Sequence, residues 1–186
     1  EARYMMKTSY IALGGNLDDP LLTFARALKL CDDAGYRVVS LSRAYTSLPW
    51  GHTDQSPFLN AVCAVNHDKD VFALLWDLLT FERILGRNRT TENGPRVIDL
   101  DLLISGDTIV ASDQLTLPHR MMHARPFVLA PMAEIATPVR HPILGKTVCE
   151  LLSQLPQDPK APGAIDKEQP LHDIPYAIEP ARSSAA

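Results

Sequence analysis

Apolar and polar positions change their period several times along the chain, and each change marks an element. Residues 9–13 form a short apolar strand that ends at Gly14 and Gly15, a pair that reads as a tight turn. Asp19 and Pro20 begin a helix, as N-cap and first helical residue. Its apolar stripe runs through Leu21, Leu22, Ala25, Leu28 and Cys31 and stops before Gly35. Two strands follow at residues 36–47 and 58–66, joined by a loop over 48–57. Asp68 or Asp70 opens a second helix, whose Val71, Leu74, Leu75, Leu78, Leu79 and Leu85 form the buried face and which Gly86 closes. A polar loop over 87–94 then leads into a last strand from Val97. The order β-α-β-β-α-β predicts an α+β fold, a ferredoxin-like sandwich with two helices on one face of an antiparallel sheet. Further on, residues 115–117 read as extended, and 127–135 as a short helix interrupted at Pro131. Residues 156–186 hold six prolines and few aromatics, the composition of a tail that is poorly ordered or draped over the surface. One domain over residues 1–155 and a C-terminal tail over 156–186 are therefore expected.

The last strand departs from this plain pattern. In Val97-Ile98-Asp99-Leu100-Asp101-Leu102 the side chains alternate, so Asp99 and Asp101 share one face while Ile98, Leu100 and Leu102 share the other. Their Cα atoms lie about 6.6 Å apart at about 3.3 Å per residue, close enough for both carboxylates to reach one cation or a pair. Oxygen-only ligation of this kind suits magnesium, which completes its octahedron with water and substrate phosphates. The alternative is a solvated strand face on which each carboxylate pairs with an arginine. Cations do cluster nearby: Arg87 and Arg89 upstream, Arg96 at the strand entrance, His119 and Arg125 downstream. Arginine suits bidentate phosphate contacts, and metal plus arginines is the usual apparatus of phosphoryl transfer.

Composition narrows the class. With 186 residues, 46% of them hydrophobic, the chain can bury one substantial core. A formal net charge of -4 argues against a general nucleic-acid binder. Cys31, Cys63 and Cys149 are scattered and odd in number, which suggests reduced thiols in a cytoplasmic protein without a disulfide framework or zinc site. No apolar run approaches a membrane span of about 18 residues, so no membrane association is expected. Gly145-Lys146-Thr147 lacks the first glycine of a P-loop, because position 140 is Arg140. His119 and His123 are spaced for zinc on a helix, but Pro118 and Pro126 leave little room for one.

Four stretches together carry a resemblance: Tyr10 to Leu17, with Leu13-Gly14-Gly15-Asn16; Phe58-Leu59-Asn60-Ala61-Val62; Gly94-Pro95-Arg96 through Asp101-Leu102-Leu103; and Leu115 to His119 with Arg125-Pro126-Phe127. In order and spacing they resemble the 6-hydroxymethyl-7,8-dihydropterin pyrophosphokinase family, over about residues 8 to 150. The resemblance implies the same ferredoxin-like fold. It also implies an ATP-dependent diphosphotransferase of folate biosynthesis, which moves diphosphate from ATP to a pterin alcohol and releases AMP. Its substrates are ATP and 6-hydroxymethyl-7,8-dihydropterin. Contact with the enzyme acting next in the folate pathway is a further expectation.

Carried over residue by residue, the resemblance implies that Asp99 and Asp101 hold two Mg2+ ions. Glu82 contacts the nucleotide side of the site, and Arg87 and Arg89 reach the triphosphate from a mobile loop. Arg96, His119 and Arg125 make phosphate and nucleotide contacts. Asp99, Asp101, Arg87 and Arg96 form the catalytic set. The flat pterin lies between Phe58 and Phe127, with Asn60 on its mixed amino-oxo edge and Ser47, Leu48, Pro49 and Asp99 completing the wall. A metal-dependent nuclease or nucleotidyltransferase would share the two aspartates but has no need of the paired rings. This chain departs from the family pattern at Glu92 and Asn93, where many members have a basic residue and Trp, and at Trp50, where a smaller aliphatic is common.

Overall fold

A computed structural model describes residues 6–51, 53–88 and 94–180. Its central sheet contains β1 (Lys7–Gly15), β2 (Arg37–Leu41), β3 (Tyr45–Ser47), β4 (Phe58–His67) and β5 (Asp99–Ser105). The strand order is β2-β4-β1-β5, with β3 also on β4, and every pairing is antiparallel. Helices α1 (Pro20–Asp33) and α2 (Val71–Ile84) cover one face, as a ferredoxin-like sandwich requires. The expected single helical layer is incomplete, because α3 (Pro126–Ala136) and α4 (Val148–Ser153) cover the other face. Strand alternation explains most of the two cores: Ile11, Leu13, Cys63, Val65, Leu100 and Leu102 point to α1 and α2, while Val62 and Leu103 point to α3 and α4. Ile104 joins the second set because the β1–β5 register shifts by one residue there. A small hairpin, β6 (Val110–Ala111) and β7 (Thr116–Leu117), precedes α3.

Both main helices start and stop by the same chemistry. Asp19 caps α1 through the Leu22 amide, and Asp70 caps α2 through the Phe72 amide; Asp68 plays no such part. Each helix ends in a Schellman turn on a left-handed glycine, Gly35 (φ 87°) and Gly86 (φ 91°). In these turns the Tyr36 amide donates to the Cys31 carbonyl and the Arg87 amide to the Glu82 carbonyl, both at 2.9 Å. The second turn has a consequence for the site, since it folds Arg87 back beside Glu82.

Three local expectations need correction. Residues 36–47 do not form one strand: Ser42 interrupts it, its hydroxyl donating to the Arg43 carbonyl and accepting from the Val62 amide. That side chain competes with the ladder for backbone partners. Gly14 and Gly15 lie inside β1, neither with positive φ. What Gly15 provides is space, because a Cβ there would stand 2.6 Å from the Val97 carbonyl oxygen. Pro131 does not interrupt α3, which runs unbroken through it. It sits in the second turn, where the missing N–H removes only the bond to the Phe127 carbonyl.

Part of the C-terminal segment lies along the open edge of β3. Ala44 and His172 exchange both backbone bonds (2.8 and 3.0 Å), the Asp166 amide donates to Thr46 (2.9 Å), and the Leu48 amide donates to Ala164 (2.9 Å). Ile174 enters the α1/α2 core, and the Tyr176 hydroxyl bonds to Asp32.

Candidate active site

On the face shared with α3, the ends of β1, β4 and β5 enclose a cleft of about 290 Å³. Asp99 and Asp101 stand on its floor, opposite Gly14 and Ala12 of β1. The same alternation that exposes them buries Ile98, Leu100 and Leu102 on the opposite face. Further along β5, Leu103 is covered by α3, so the two carboxylates occupy the portion of the strand that the helix leaves open.

Cations ring the carboxylates. Arg87 Nη1 is 2.5 Å from Asp99 Oδ1 and also donates to Glu82 Oε1. Arg96 Nε lies 3.2 Å from Asp99 Oδ2, and Arg125 Nη1 lies 3.7 Å from Asp101 Oδ2. Each aspartate therefore has an arginine partner. This pairing does not satisfy every group. The Nε–H groups of Arg96 and Arg125 are buried, and neither is aligned on a hydrogen-bond acceptor, Arg96 despite its ion pair with Asp99. Asp101 is pushed up to about 7 by desolvation and by the charge of Asp99, which Arg125 only partly offsets. His119 moves the other way, to about 4, through desolvation and the neighbouring Arg125. Its Nδ1 accepts from the Met121 amide (3.2 Å), which leaves the proton of the neutral ring on Nε2, 3.8 Å from Asp101.

Glu82 is not on the cleft wall. It is 3% exposed and accepts from the Leu100 amide at 2.8 Å, tying α2 to the edge of β5. Desolvation and then the charge of Asp99 raise it above the usual carboxylate range, against the lowering effect of that amide. Arg87 has its guanidinium further stabilised as a cation: burial opposes this, but Asp99 and Glu82 outweigh burial. Glu82 thus acts on the cleft through Arg87.

Aromatic rings line the other half. Phe58, Asn60, Ser47, Leu48, Trp50 and Phe127 all border the cleft. Asn60 donates to Ser47 Oγ at 2.8 Å, which fixes its amide orientation. The Arg96 guanidinium lies 4.9 Å from the Phe58 ring centre, and that of Arg125 lies 5.7 Å from Phe127 and 6.0 Å from Trp50. Trp50 and Phe127 pack with centroids 5.8 Å apart. Pro49 is buried and does not border the cleft. Arg89 lies outside the described residues, as do Glu92 and Asn93.

Asn16 links the two halves, a role the sequence analysis did not assign. Its backbone N–H donates to the Arg96 carbonyl (3.0 Å), and its side-chain oxygen accepts from the Arg96 amide (2.9 Å). Its side-chain nitrogen donates to Gln55 and to the Ser56 carbonyl, both at 3.0 Å. No local pattern announces this, because the partners are some 40 and 80 residues away.

The donor set fits a hard divalent cation. Among the described residues no group of three or more His, Cys, Asp or Glu side chains converges on one point. Two carboxylates would instead supply part of an octahedron, with water and substrate phosphates supplying the rest. The raised Asp101 fits the same reading, since a bound cation would offset both the desolvation and the Asp99 charge that raise it.

The family model for 7,8-dihydro-6-hydroxymethylpterin-pyrophosphokinase matches residues 10–137. The chain belongs to this family. Among its relatives, the 2-amino-4-hydroxy-6-hydroxymethyldihydropteridine pyrophosphokinase of Methylorubrum extorquens is 42% identical over 151 residues, 81% of this chain and 94% of the relative. The enzyme of that name from Haemophilus influenzae is 37% identical over 150 residues, 80% of this chain and 93% of its own. Among solved structures, a Plasmodium falciparum HPPK-DHPS chain superposes with a TM-score of 0.67 at 13% identity. That match covers 82% of this chain and 46% of the other, and at such identity it speaks for the pyrophosphokinase fold alone. Among the described residues no helix is long and apolar enough to cross a membrane.

Proposed function

We propose that this chain is an ATP-dependent diphosphotransferase that moves diphosphate from ATP to the hydroxymethyl group of 6-hydroxymethyl-7,8-dihydropterin, releasing AMP, in folate biosynthesis. One observation carries the reading: a single cleft joins a charged half, suited to a metal-bound triphosphate, to an aromatic half, suited to a flat heterocycle. A nuclease or nucleotidyltransferase would share the first half without needing the paired rings, and the family match favours a pterin over a nucleobase between them.

Phe58 and Phe127 would flank the pterin, with Asn60 and the backbone of Ser47 and Leu48 meeting its amino and oxo groups. Pro49 would support that wall from behind. Arg87, Arg96, Arg125 and neutral His119 would engage the phosphates, and both Nε–H groups then gain aligned acceptors. Glu82 would hold Arg87 in place. Arg89, which lies outside the described residues, would join them on the triphosphate. Asp99 and Asp101 would hold two Mg2+ ions. When bound, the metal supplies charge neutralisation on the phosphates and an acidified substrate hydroxyl. The pterin hydroxyl attacks the β-phosphorus in line, its proton is lost, the β-phosphorus–oxygen bond to the α-phosphate breaks, and AMP departs. The arginines stabilise the charge that develops on the transferred oxygens.

The buried and unpaired Cys31 and Cys63 support a reducing compartment such as the cytoplasm. The composite relatives support contact with the next folate enzyme: the Pneumocystis carinii folic acid synthesis protein fol1 is 34% identical over 146 residues, and this chain spans 20% of it. The deciding experiment is incubation with ATP, Mg2+ and the reduced pterin alcohol. AMP with a diphosphorylated pterin is expected; ADP, or no pterin-dependent product, would overturn the assignment.

A further inference from the structure

The C-terminal segment lies beyond residues 10–137, which the family model matches, yet it converges on the cleft. Its hydrogen bonds with Thr46 and Leu48 fall on the chain that forms the cleft wall, and Ser47 bridges to Ile165. Gly163 is buried against the Trp50–Phe127 pair with φ 74°. A Cβ there would stand 2.7 Å from Phe127 Cδ1 and 2.7 Å from Trp50 Cε3. The glycine therefore sets how closely the main chain approaches both rings. At its other end the segment is anchored independently, by Ile174 in the core and Tyr176 on Asp32.

We propose that residues 163–176 form a strap that positions the aromatic wall of the cleft, with Gly163 as the positioning residue for Trp50 and Phe127. This rests on the diphosphotransferase reading, since it takes the aromatic half as the pterin subsite. The strap makes two isolated antiparallel bridges beside β3, at Ala44–His172 and Ser47–Ile165, and backbone hydrogen bonds there fix the Ser47–Leu48 main chain. Gly163 fills the space behind the rings, so neither ring can lean away from the ligand. Pterin then meets a wall that is already formed, and less of its binding energy is spent on ordering side chains. Among the described residues no backbone hydrogen bond joins the strap to β5 or α2, so the phosphate contacts of Arg87 and Arg96 should be largely independent of it. Arg125, which lies against Trp50 and Phe127, is the phosphate contact nearest the wall.

The test uses full-length chains carrying Gly163→Ala or, separately, His172→Pro, which deletes the N–H that bonds to Ala44. Pterin and ATP-analogue affinities are measured by calorimetry with Mg2+ present, alongside steady-state kinetics. Gly163→Ala should weaken pterin binding by about tenfold or more and raise its KM to match. The analogue's affinity, and kcat at saturating pterin, should stay within about twofold. His172→Pro should show the same split to a smaller degree, about threefold. If Gly163→Ala does not fold, His172→Pro and Tyr176→Phe decide by the same criterion. Unchanged pterin affinity in the folded variants, or equal weakening of both ligands, would overturn the strap. A wild-type chain that binds pterin but makes no AMP counts against the transferase reading instead, and the binding comparison still judges the strap.

Discussion

In the charged half of the cleft, Asp101 stands beside Asp99 with its ionisation suppressed, and two buried guanidinium N–H groups lack an aligned acceptor. In the aromatic half, Trp50 and Phe127 pack on each other and on Gly163, and the Asn60 amide is already bonded to Ser47. One half is electrostatically unsatisfied without ligand, while the other is packed and hydrogen-bonded. Charge is the reason. Carboxylates gathered for a metal are penalised by burial and by one another, whereas apolar rings gathered for a heterocycle can satisfy one another. The charged half should therefore respond strongly to metal, pH and salt, and the aromatic half hardly at all.

The largest effect should come from breaking the charged half outright. Asp99→Ala or Asp101→Ala is expected to lower AMP release by at least about a thousandfold. The unfolding midpoint should stay near wild type for Asp101→Ala, whose carboxyl repels Asp99, and fall for Asp99→Ala, which takes a paired carboxylate from Arg87 and Arg96. Near-normal turnover in either variant would sink the two-metal assignment. Next in size is Arg87→Ala. It removes the cation that contacts both buried Glu82 and Asp99, at a cost of about 3 kcal/mol in stability, and should slow the chemical step more than it weakens ATP binding. The double variant with Glu82→Gln should recover much of the lost stability, and a purely additive double-mutant cycle would refute the coupling.

A smaller effect sharpens the contrast through pH. Asp101 has a folded value of about 7, above its ordinary 3.8, so the metal-free folded state binds the extra proton between those values. Its contribution to stability therefore falls as pH rises from about 4 to 7. His119, lowered to about 4, contributes the opposite slope between about 4 and 6.5. Urea unfolding of wild type and Asp101→Asn across pH 4 to 7.5 isolates the first group: the wild type should lose stability relative to the variant as pH rises, and Mg2+ should remove that difference. A parallel pair of curves would show that Asp101 is not perturbed. The smallest effect concerns the aromatic half. Phe58→Leu should weaken pterin binding by about tenfold, and raising ionic strength from 0.05 to 0.5 M should leave that ratio unchanged while ATP binding weakens severalfold. A salt-dependent pterin ratio would erase the distinction between the halves.

The sequence by itself determined the elements whose signals are local. Asp19-Pro20 and Gly35 bound α1, Gly86 closes α2, and strict alternation puts Asp99 and Asp101 on one face of β5; each depends on neighbours within a few residues. The clustering of Arg87, Arg96, His119 and Arg125 was legible from their nearness in sequence to those aspartates, and the stretches that carry the family resemblance include Arg96, His119 and Arg125. Only the tertiary structure decided the rest. Ser42 breaks the second strand because its hydroxyl finds a partner on β4, 20 residues away. Gly15 is needed for a carbonyl that arrives from Val97, and Glu82 belongs behind Arg87 instead of on the cleft wall. Asn16 ties Arg96 to the loop before β4, and Gly163 supports rings more than 30 residues upstream. Such roles depend on which surfaces meet once the sheet and its two helical layers close. A residue's spacing to its neighbours carries no record of a partner that only folding brings within reach.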